Sequence, residues 1–189
     1  MHGRPPSPGG RGEVDACIGP RRLRAGAMRR LRAHASGAVD APLAAAMALL
    51  RDLEGYPCWY PEGVRAVRVL ARGPDGFAQR VEVTLRLGQG PVRRDFELTM
   101  TAVAPARGVL ALERSPNGPD DPERLTITWQ ATRSSISIEL DALLDVPRLL
   151  PVGGVAESLA RGLVQAAVRS LSAAPPAAGA GPPRPPRAP

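Results

Sequence analysis

The sequence predicts an α+β domain in which a seven-stranded antiparallel sheet wraps around a long C-terminal helix, with two short helices between strands 1 and 2. Two observations carry this prediction. Apolar and polar residues alternate with period 2 through seven segments separated by turn-forming sequence, as in strands with one buried and one wet face. A period of 3.6 then appears at residues 152–172, which is typical of an amphipathic helix.

The chain has 189 residues, which fits one domain with appendages. Residues 1–27 are rich in Arg, Pro and Gly, and residues 174–189 are rich in Pro and Ala. We expect both ends to be disordered, because neither has enough apolar surface to offset the entropy of ordering. The domain is therefore predicted at residues 28–173, and Met28 is a candidate for the true translation start.

The first strand is predicted around Leu31, Ala33 and Ala35, which alternate with polar residues. Asp40 is expected to cap a helix over residues 41–53, because a carboxylate at that place can accept from the free amides of the first turn.

Six further strands follow from the same alternation, with turn or loop sequence between several of them. Strands 2 to 7 are predicted at residues 67–71, 77–87, 92–102, 109–114, 125–130 and 136–141. Residues 73–76 and 88–91 form turns, and residues 115–122 form a loop rich in Pro, Asn, Gly and Asp.

The C-terminal helix has two distinct stripes. Polar residues fall four apart on one of them: Glu157, Arg161, Gln165 and Arg169. Apolar residues occupy the other: Val155, Leu159, Leu163 and Ala166. We expect the apolar stripe to cover the dry face of the sheet, and small residues such as Gly162 to leave space beneath the helix.

One segment between the first helix and the second strand is more specific than the periodicities. It contains Asp52, Tyr56, Pro57, Trp59 and Pro61, and two of these residues are prolines that fix the backbone around Trp59. We expect Trp59 to be substantially buried and to fix this turn.

The segment resembles the START-like (SRPBCC) superfamily of helix-grip proteins, which includes polyketide cyclases and dehydrases, coenzyme Q-binding START proteins and plant pollen allergens. In these proteins an Asp, an apolar residue, two variable residues and Tyr-Pro-x-Trp-x-Pro follow the first helix. The resemblance covers roughly residues 28–173.

The resemblance implies a cavity for an apolar ligand between the sheet and the final helix. The candidate lining residues have apolar parity in their strand or lie on the apolar stripe of the helix: Arg94, Phe96, Leu98, Ile127, Trp129, Ile138, Leu159 and Leu163. Arg94 is the one charged residue among them. It either binds a ligand carboxylate or carbonyl at the rim of the cavity, or it pairs with a nearby acidic residue. The alternative to a cavity is that aliphatic side chains and Trp129 fill the space.

Groups for catalysis are scarce, so no catalytic residue is assigned. The sequence contains no Ser-His-acid order, no metal-ligand spacing and no glycine-rich phosphate loop, and we predict neither a metal nor a cofactor. His34 is expected to be a surface histidine, and Cys58 a passive thiol, since no His or Lys nearby would lower its pKa.

The formal net charge of +7 lies mainly in the ends of the chain. Residues 1–32 carry +6 and the last residues +2, whereas residues 33–172 carry −1. We therefore expect no nucleic acid as a partner, since the domain lacks a basic footprint. No apolar run is long enough for a membrane-spanning helix and no secretory signal is evident, so a cytoplasmic location is expected.

Three classes of function remain. The first is binding or carriage of a hydrophobic small molecule such as a polyketide, quinone or lipid. The second is a polyketide cyclase or aromatase that acts on a poly-keto intermediate without a standard catalytic triad. The third is a regulatory interaction module with no small ligand. The sequence does not predict an oligomeric state.

Overall fold

A computed structural model of the chain describes residues 27–89, 92–146 and 154–173. Within these ranges there are seven strands: β1 Ala27–Ala38, β2 Val64–Arg72, β3 Ala78–Gln89, β4 Val92–Val103, β5 Val109–Arg114, β6 Arg124–Ala131 and β7 Ser135–Val146. The same ranges contain three α-helices: α1 Leu43–Arg51, α2 Tyr56–Trp59 and α3 Val155–Ala173. A single 3₁₀ turn, Leu53–Gly55, joins α1 to α2.

The strands form one sheet in the order β1-β7-β6-β5-β4-β3-β2, and every neighbouring pair is antiparallel. The two short helices lie between β1 and β2 in the chain, and α3 packs on β1, β7 and β3. The predicted α+β helix-grip architecture is confirmed.

The alternation that predicted the strands produces a sheet with one dry and one wet face. In β6, Leu125, Ile127 and Trp129 are buried toward α3, whereas the residues between them face outward. On the outer face, cross-strand ion pairs join neighbours, such as Arg86 of β3 with Asp95 of β4. The inward side chains and α3 together enclose the core.

Helix α3 has the two stripes that its sequence predicts. All four residues of the polar stripe, from Glu157 to Arg169, are exposed, and Leu159, Leu163 and Ala166 are buried. The helix begins at Val155, and the first predicted helical residues, 152–153, lie outside the described ranges. The predicted disordered ends lie outside them too, apart from Ala27, the first residue of β1, as do residues 90–91 of the predicted turn.

The predicted helix cap at Asp40 is wrong. Helix α1 begins at Leu43 with Pro42 as its N-cap residue, and no side chain caps it. The Pro42 carbonyl accepts from the amides of Ala45 and Ala46 at 2.9 and 3.1 Å, so the N-cap lies two residues beyond Asp40 and the helix begins three residues beyond it. The exposed Asp40 carboxylate therefore lies before the first turn rather than over its amides.

Helix α1 also ends earlier than predicted, at Arg51, because the backbone of Asp52 (φ −79°, ψ 73°) leaves the helical region. The Asp52 carboxylate instead caps the next turn, since its Oδ1 accepts from the Gly55 amide at 3.2 Å. Pro57 occupies the first turn of α2, where its missing N–H leaves no hydrogen bond unmade.

The aromatic residues of the same segment pack together. The rings of Tyr56 and Trp59 lie 4.5 Å apart between centroids and are tilted by 55°. Trp59 is half-buried, with its indole nitrogen fully inside. The Pro61 carbonyl accepts from the Arg65 guanidinium at 3.2 Å, which connects the end of the segment to the start of β2.

Candidate functional site

A small cavity, here called the inner cavity, lies between the sheet and α3 and has a volume of ≈ 40 Å³. It is lined by Leu53, Tyr56, Val64, Val67, Val81, Val83, Leu85, Met100, Leu112, Ile127, Trp129 and Leu163. Tyr56 and Trp129 alone among these carry a side-chain oxygen or nitrogen, and no polar atom contributes to the cavity surface. The walls can therefore accept an apolar group and offer a ligand no polar partner.

The one titratable group in these walls is already engaged. The buried Tyr56 hydroxyl donates a 2.8 Å hydrogen bond to the carbonyl oxygen of Leu50. Burial raises its pKa far above the ordinary value, and the neighbouring Trp129 indole opposes that rise in part. The indole N–H does not meet hydrogen-bond geometry with the hydroxyl, and it has no partner in the described part of the chain. Tyr56 thus stays protonated at neutral pH.

The inner cavity is small for a ligand site. Its ≈ 40 Å³ exceed the roughly 10–15 Å³ that one water requires, but cavities that enclose small-molecule ligands typically measure about 300–1,000 Å³. Apolar cavities of this kind stay dry. A ligand of ordinary size would enter only if the sheet and α3 moved apart or the lining side chains changed rotamer.

Three of the predicted lining residues, Ile127, Trp129 and Leu163, line the inner cavity. Two others face the core without lining it: Ile138 is fully buried and Leu98 is half-buried. These five residues all belong to the space between sheet and helix.

The other three predicted residues lie toward one end of the sheet. Phe96 is 40% exposed although its cross-strand partner is the buried Leu85, because it lies near the open end of β4. Arg94 is exposed opposite Leu87, and within the described ranges it forms no ion pair with an acid. Leu159 lines a second space.

This second space, here called the mouth pocket, has a volume of ≈ 130 Å³. It is lined by Tyr60, Glu62, Arg86, Leu87, Arg93, Val155, Ser158 and Leu159. Unlike the inner cavity, it combines apolar walls with hydroxyl, guanidinium and carboxylate groups. It lies at the rim of the sheet, where the end of β3 extends beyond its pairing with β2 and approaches the first turn of α3, so residues of both sheet faces line it.

Tyr60 separates the mouth pocket from the outer surface of α3. Its ring fills a slot between two glycines, Gly63 and Gly162, where a Cβ on either residue would overlap the ring. The space beside Gly162 is therefore occupied by Tyr60 and does not enlarge the inner cavity, contrary to the expectation from the sequence. Burial, and secondarily the charge of Glu62, raise the pKa of Tyr60.

The sequence reasoning missed a buried charge, Arg114 at the end of β5. Its side chain is 3% exposed, and its guanidinium contacts the carboxylates of Asp121 at 2.9 Å and Glu123 at 2.8 Å. Its cross-strand partner on β4 is Met100, which lines the inner cavity. The signal was present, because Arg114 continues the inward parity of Leu110 and Leu112, as Arg94 does in β4.

The two remaining candidates from the sequence lie at the surface. His34 and Cys58 are both exposed, and in the ranges that the structure describes no three His, Cys, Asp or Glu residues group closely enough to hold a metal ion. No helix within those ranges has the length and apolar character needed to cross a membrane.

Solved structures share this fold at low sequence identity. A START superfamily protein from Mycobacterium smegmatis is 17% identical with a TM-score of 0.58, covering 75% of this chain and 97% of that one. A protein from Thermus thermophilus is 15% identical with a TM-score of 0.54, and the match covers 76% of this chain and 98% of that protein. The di-domain ARO/CYC BexL from the BE-7585A biosynthetic pathway is 12% identical with a TM-score of 0.56, covering 77% of this chain and 51% of BexL.

No curated protein sequence matches the chain significantly. A family model does match, over residues 39–172, and this span contains the Asp52-to-Pro61 segment, all of β2 to β7 and nearly all of α3. The chain therefore belongs to the family described as polyketide cyclase / dehydrase and lipid transport.

Proposed function

We propose that the protein binds and carries a hydrophobic small molecule, a polyketide, quinone or lipid, whose apolar part occupies the inner cavity. Membership of the family supports either hydrophobic-ligand binding or cyclase activity. The observation that favours binding is the chemistry of the cavity walls, which present apolar surface only. Burial of apolar ligand surface stabilises the complex by roughly 25 cal/mol per Å², without any polar contact.

Proton transfer has no evident agent in the inner cavity. General acid–base catalysis needs a group whose pKa lies near the working pH and which can reach the substrate. Tyr56 is the titratable residue of the lining, but its pKa is raised and its hydroxyl is held by the Leu50 carbonyl. Arg114 lies beside the cavity, but two carboxylates neutralise it.

Binding requires the inner cavity to widen, and its lining suits that requirement. Met100 is unbranched and flexible, so it can adopt other rotamers at small cost. Leu163 is the one residue of α3 that lines the cavity, and the inward residues of several strands line the rest of it. The size of the ligand that can bind is thus expected to depend on the volume of the side chain at position 163.

The test is uptake of an environment-sensitive apolar dye by the full chain. Leu163→Trp adds bulk inside the cavity and should abolish the fluorescence increase. Leu171→Trp is the matched control, because Leu171 is buried on the same helix but does not line the cavity. Both variants are first checked for cooperative unfolding. Equal dye uptake by the wild type and Leu163→Trp would overturn the proposal, and so would a wild type that takes up no dye, the result expected of an interaction module.

A cyclase remains the second candidate, because the hydroxyl-bearing Ser158 and the guanidinium-bearing Arg93 both line the mouth pocket. Groups of this kind could orient the carbonyls of a poly-keto chain. Incubation with a poly-β-keto substrate or mimic distinguishes the two functions, since a carrier leaves the distribution of cyclised products unchanged.

A further inference from the structure

The mouth pocket and the inner cavity lie in succession along β3 and α3, and together they are here called the groove. Two successive inward residues of β3 line the two spaces. Leu85 lines the inner cavity, and Leu87 lines the mouth pocket. On α3, Leu163 lines the inner cavity and Leu159, one turn earlier, the mouth pocket. Two residues of a strand and four of a helix each span about 6–7 Å. A single extended molecule could therefore occupy both spaces.

The two ends of this groove differ in chemistry. The inner end presents only apolar surface, whereas the mouth pocket offers several hydrogen-bond donors. The guanidinium of Arg93 is exposed there, and no carboxylate in the described part of the chain forms an ion pair with it. Arg86, in contrast, is held by Asp95 through two hydrogen bonds of 2.8 and 3.0 Å.

A hydroxyl and a helix end add to the donors. Tyr60 contributes to the pocket wall, but its hydroxyl lies against Gly162, which does not line the mouth pocket. Ser158 and Val155 lie in the first turn of the 19-residue α3, where the helix dipole favours an anion. Glu62 is the one carboxylate among the lining residues.

We propose that the mouth pocket binds the carboxylate head of an amphipathic ligand whose apolar chain extends into the inner cavity. Arg93 pairs with the carboxylate, and the hydroxyl of Ser158 donates to it. This inference rests on the proposed function, because the apolar chain needs the inner cavity. It narrows the ligand class to monocarboxylates with a long apolar part.

The experiment compares decanoate with decan-1-ol, which share a chain and differ in the head group, by titration calorimetry on the full chain at neutral pH. The wild type should bind decanoate about tenfold more tightly, since a charge-assisted hydrogen bond is roughly twice as strong as a neutral one. Arg93→Gln should reduce this preference at least about fivefold. Arg80→Gln, at the opposite end of β3 and exposed, is the matched control and should leave the preference unchanged.

The outcomes separate this inference from the proposed function. Equal affinity for the acid and the alcohol, or a preference that Arg93→Gln leaves intact, would overturn the carboxylate site, while dye uptake sensitive to Leu163→Trp would still support the carrier function. Failure of both decyl ligands to bind a protein that takes up the dye would also overturn the carboxylate site. If the protein takes up no dye and binds neither decanoate nor decan-1-ol, both proposals are overturned.

Discussion

The ring of Tyr60 lies directly against the backbone of Gly162, on the outer side of α3. A Cβ at position 162 would meet the Cζ and Cε2 atoms of that ring at 2.8 and 2.9 Å, closer than van der Waals contact allows. The Tyr60 ring thereby connects the turn before β2 to the final helix. The contact is possible because Gly162 has no side chain.

This contact predicts an unusual response to Gly162→Ala. In a helix interior, Ala is normally about 1 kcal/mol more favourable than Gly. Here the added methyl displaces Tyr60, so the free energy of unfolding should not rise. In a Tyr60→Ala background, where the ring is gone, the same substitution should raise it by about 1 kcal/mol. Urea unfolding of the four proteins measures the coupling, and strictly additive effects would show that the two residues do not interact.

The two tyrosines make alkaline stability a second test. Burial raises the pKa of both Tyr56 and Tyr60 above the ordinary value of 10.0, more strongly for Tyr56. A raised folded pKa means that the folded state holds its proton more tightly than the unfolded state. The stabilisation from that difference is fully present below pH 10.0 and is lost as the pH rises above it.

We therefore expect no tyrosinate absorbance from Tyr56 near pH 10.0 while the protein is folded, and its appearance together with unfolding. Tyr56→Phe is the control, because it retains the ring and removes the ionisable group, along with the hydrogen bond to Leu50. That variant should be less stable at neutral pH by roughly 1 kcal/mol and lose less stability in alkali. An ionisation of Tyr56 near its ordinary pKa in the folded protein would contradict the prediction.

The sequence could predict which face of each strand is inward, but not how deep each residue lies. Strand parity placed Ile127 and Trp129 on the buried face, because alternation depends only on the strand itself. The same parity applies to Phe96, yet its burial depends on how far α3 covers the end of β4, which no local pattern specifies. Tyr60 gave no periodic signal, since its slot is made by two glycines far apart in the chain.

The Asp40 cap illustrates a different limit. Asp followed closely by Pro is a plausible helix start, and only the backbone shows that Pro42 itself takes the N-cap position. The alternation in β5 did indicate that Arg114 faces inward, because it lies two residues after the inward Leu112. Its two partners, Asp121 and Glu123, both belong to the loop between β5 and β6, and the sequence alone does not specify which way that loop folds.

The contact between the tilted rings of Tyr56 and Trp59 leads to a third prediction. Trp59→Ala should lower the free energy of unfolding by about 2–3 kcal/mol, less than the 3–5 kcal/mol typical of fully buried aromatics, because Trp59 is half-buried. Trp59→Phe should retain most of the stability through its ring contact with Tyr56. The fully buried Trp129 then serves as the fluorescent reporter of unfolding in both variants. If Trp59→Ala unfolds at the wild-type urea midpoint, Trp59 does not stabilise this turn.

The ion cluster at Arg114 leads to the last prediction. Arg114→Ala should destabilise the protein by roughly 3 kcal/mol, because it leaves the carboxylates of Asp121 and Glu123 without the cation that they share. Arg68→Gln is the matched control: it also breaks an Arg–carboxylate pair, with Glu82, but that Arg side chain is 68% exposed and little change is expected.

Acid titration distinguishes the Asp121 carboxylate from the rest of the cluster. Its pKa is lowered, first by the amide of Asn117, then by that of Glu123, and further by Arg114. A lowered folded pKa gives stability that is present above the ordinary value of 3.8 and is lost as the pH falls below it. Asp121→Asn removes that titration, so its stability should fall less steeply than the wild type's below pH 3.8. Parallel acid profiles for the two proteins would show that Asp121 titrates alike in the folded and unfolded states, which would contradict the prediction.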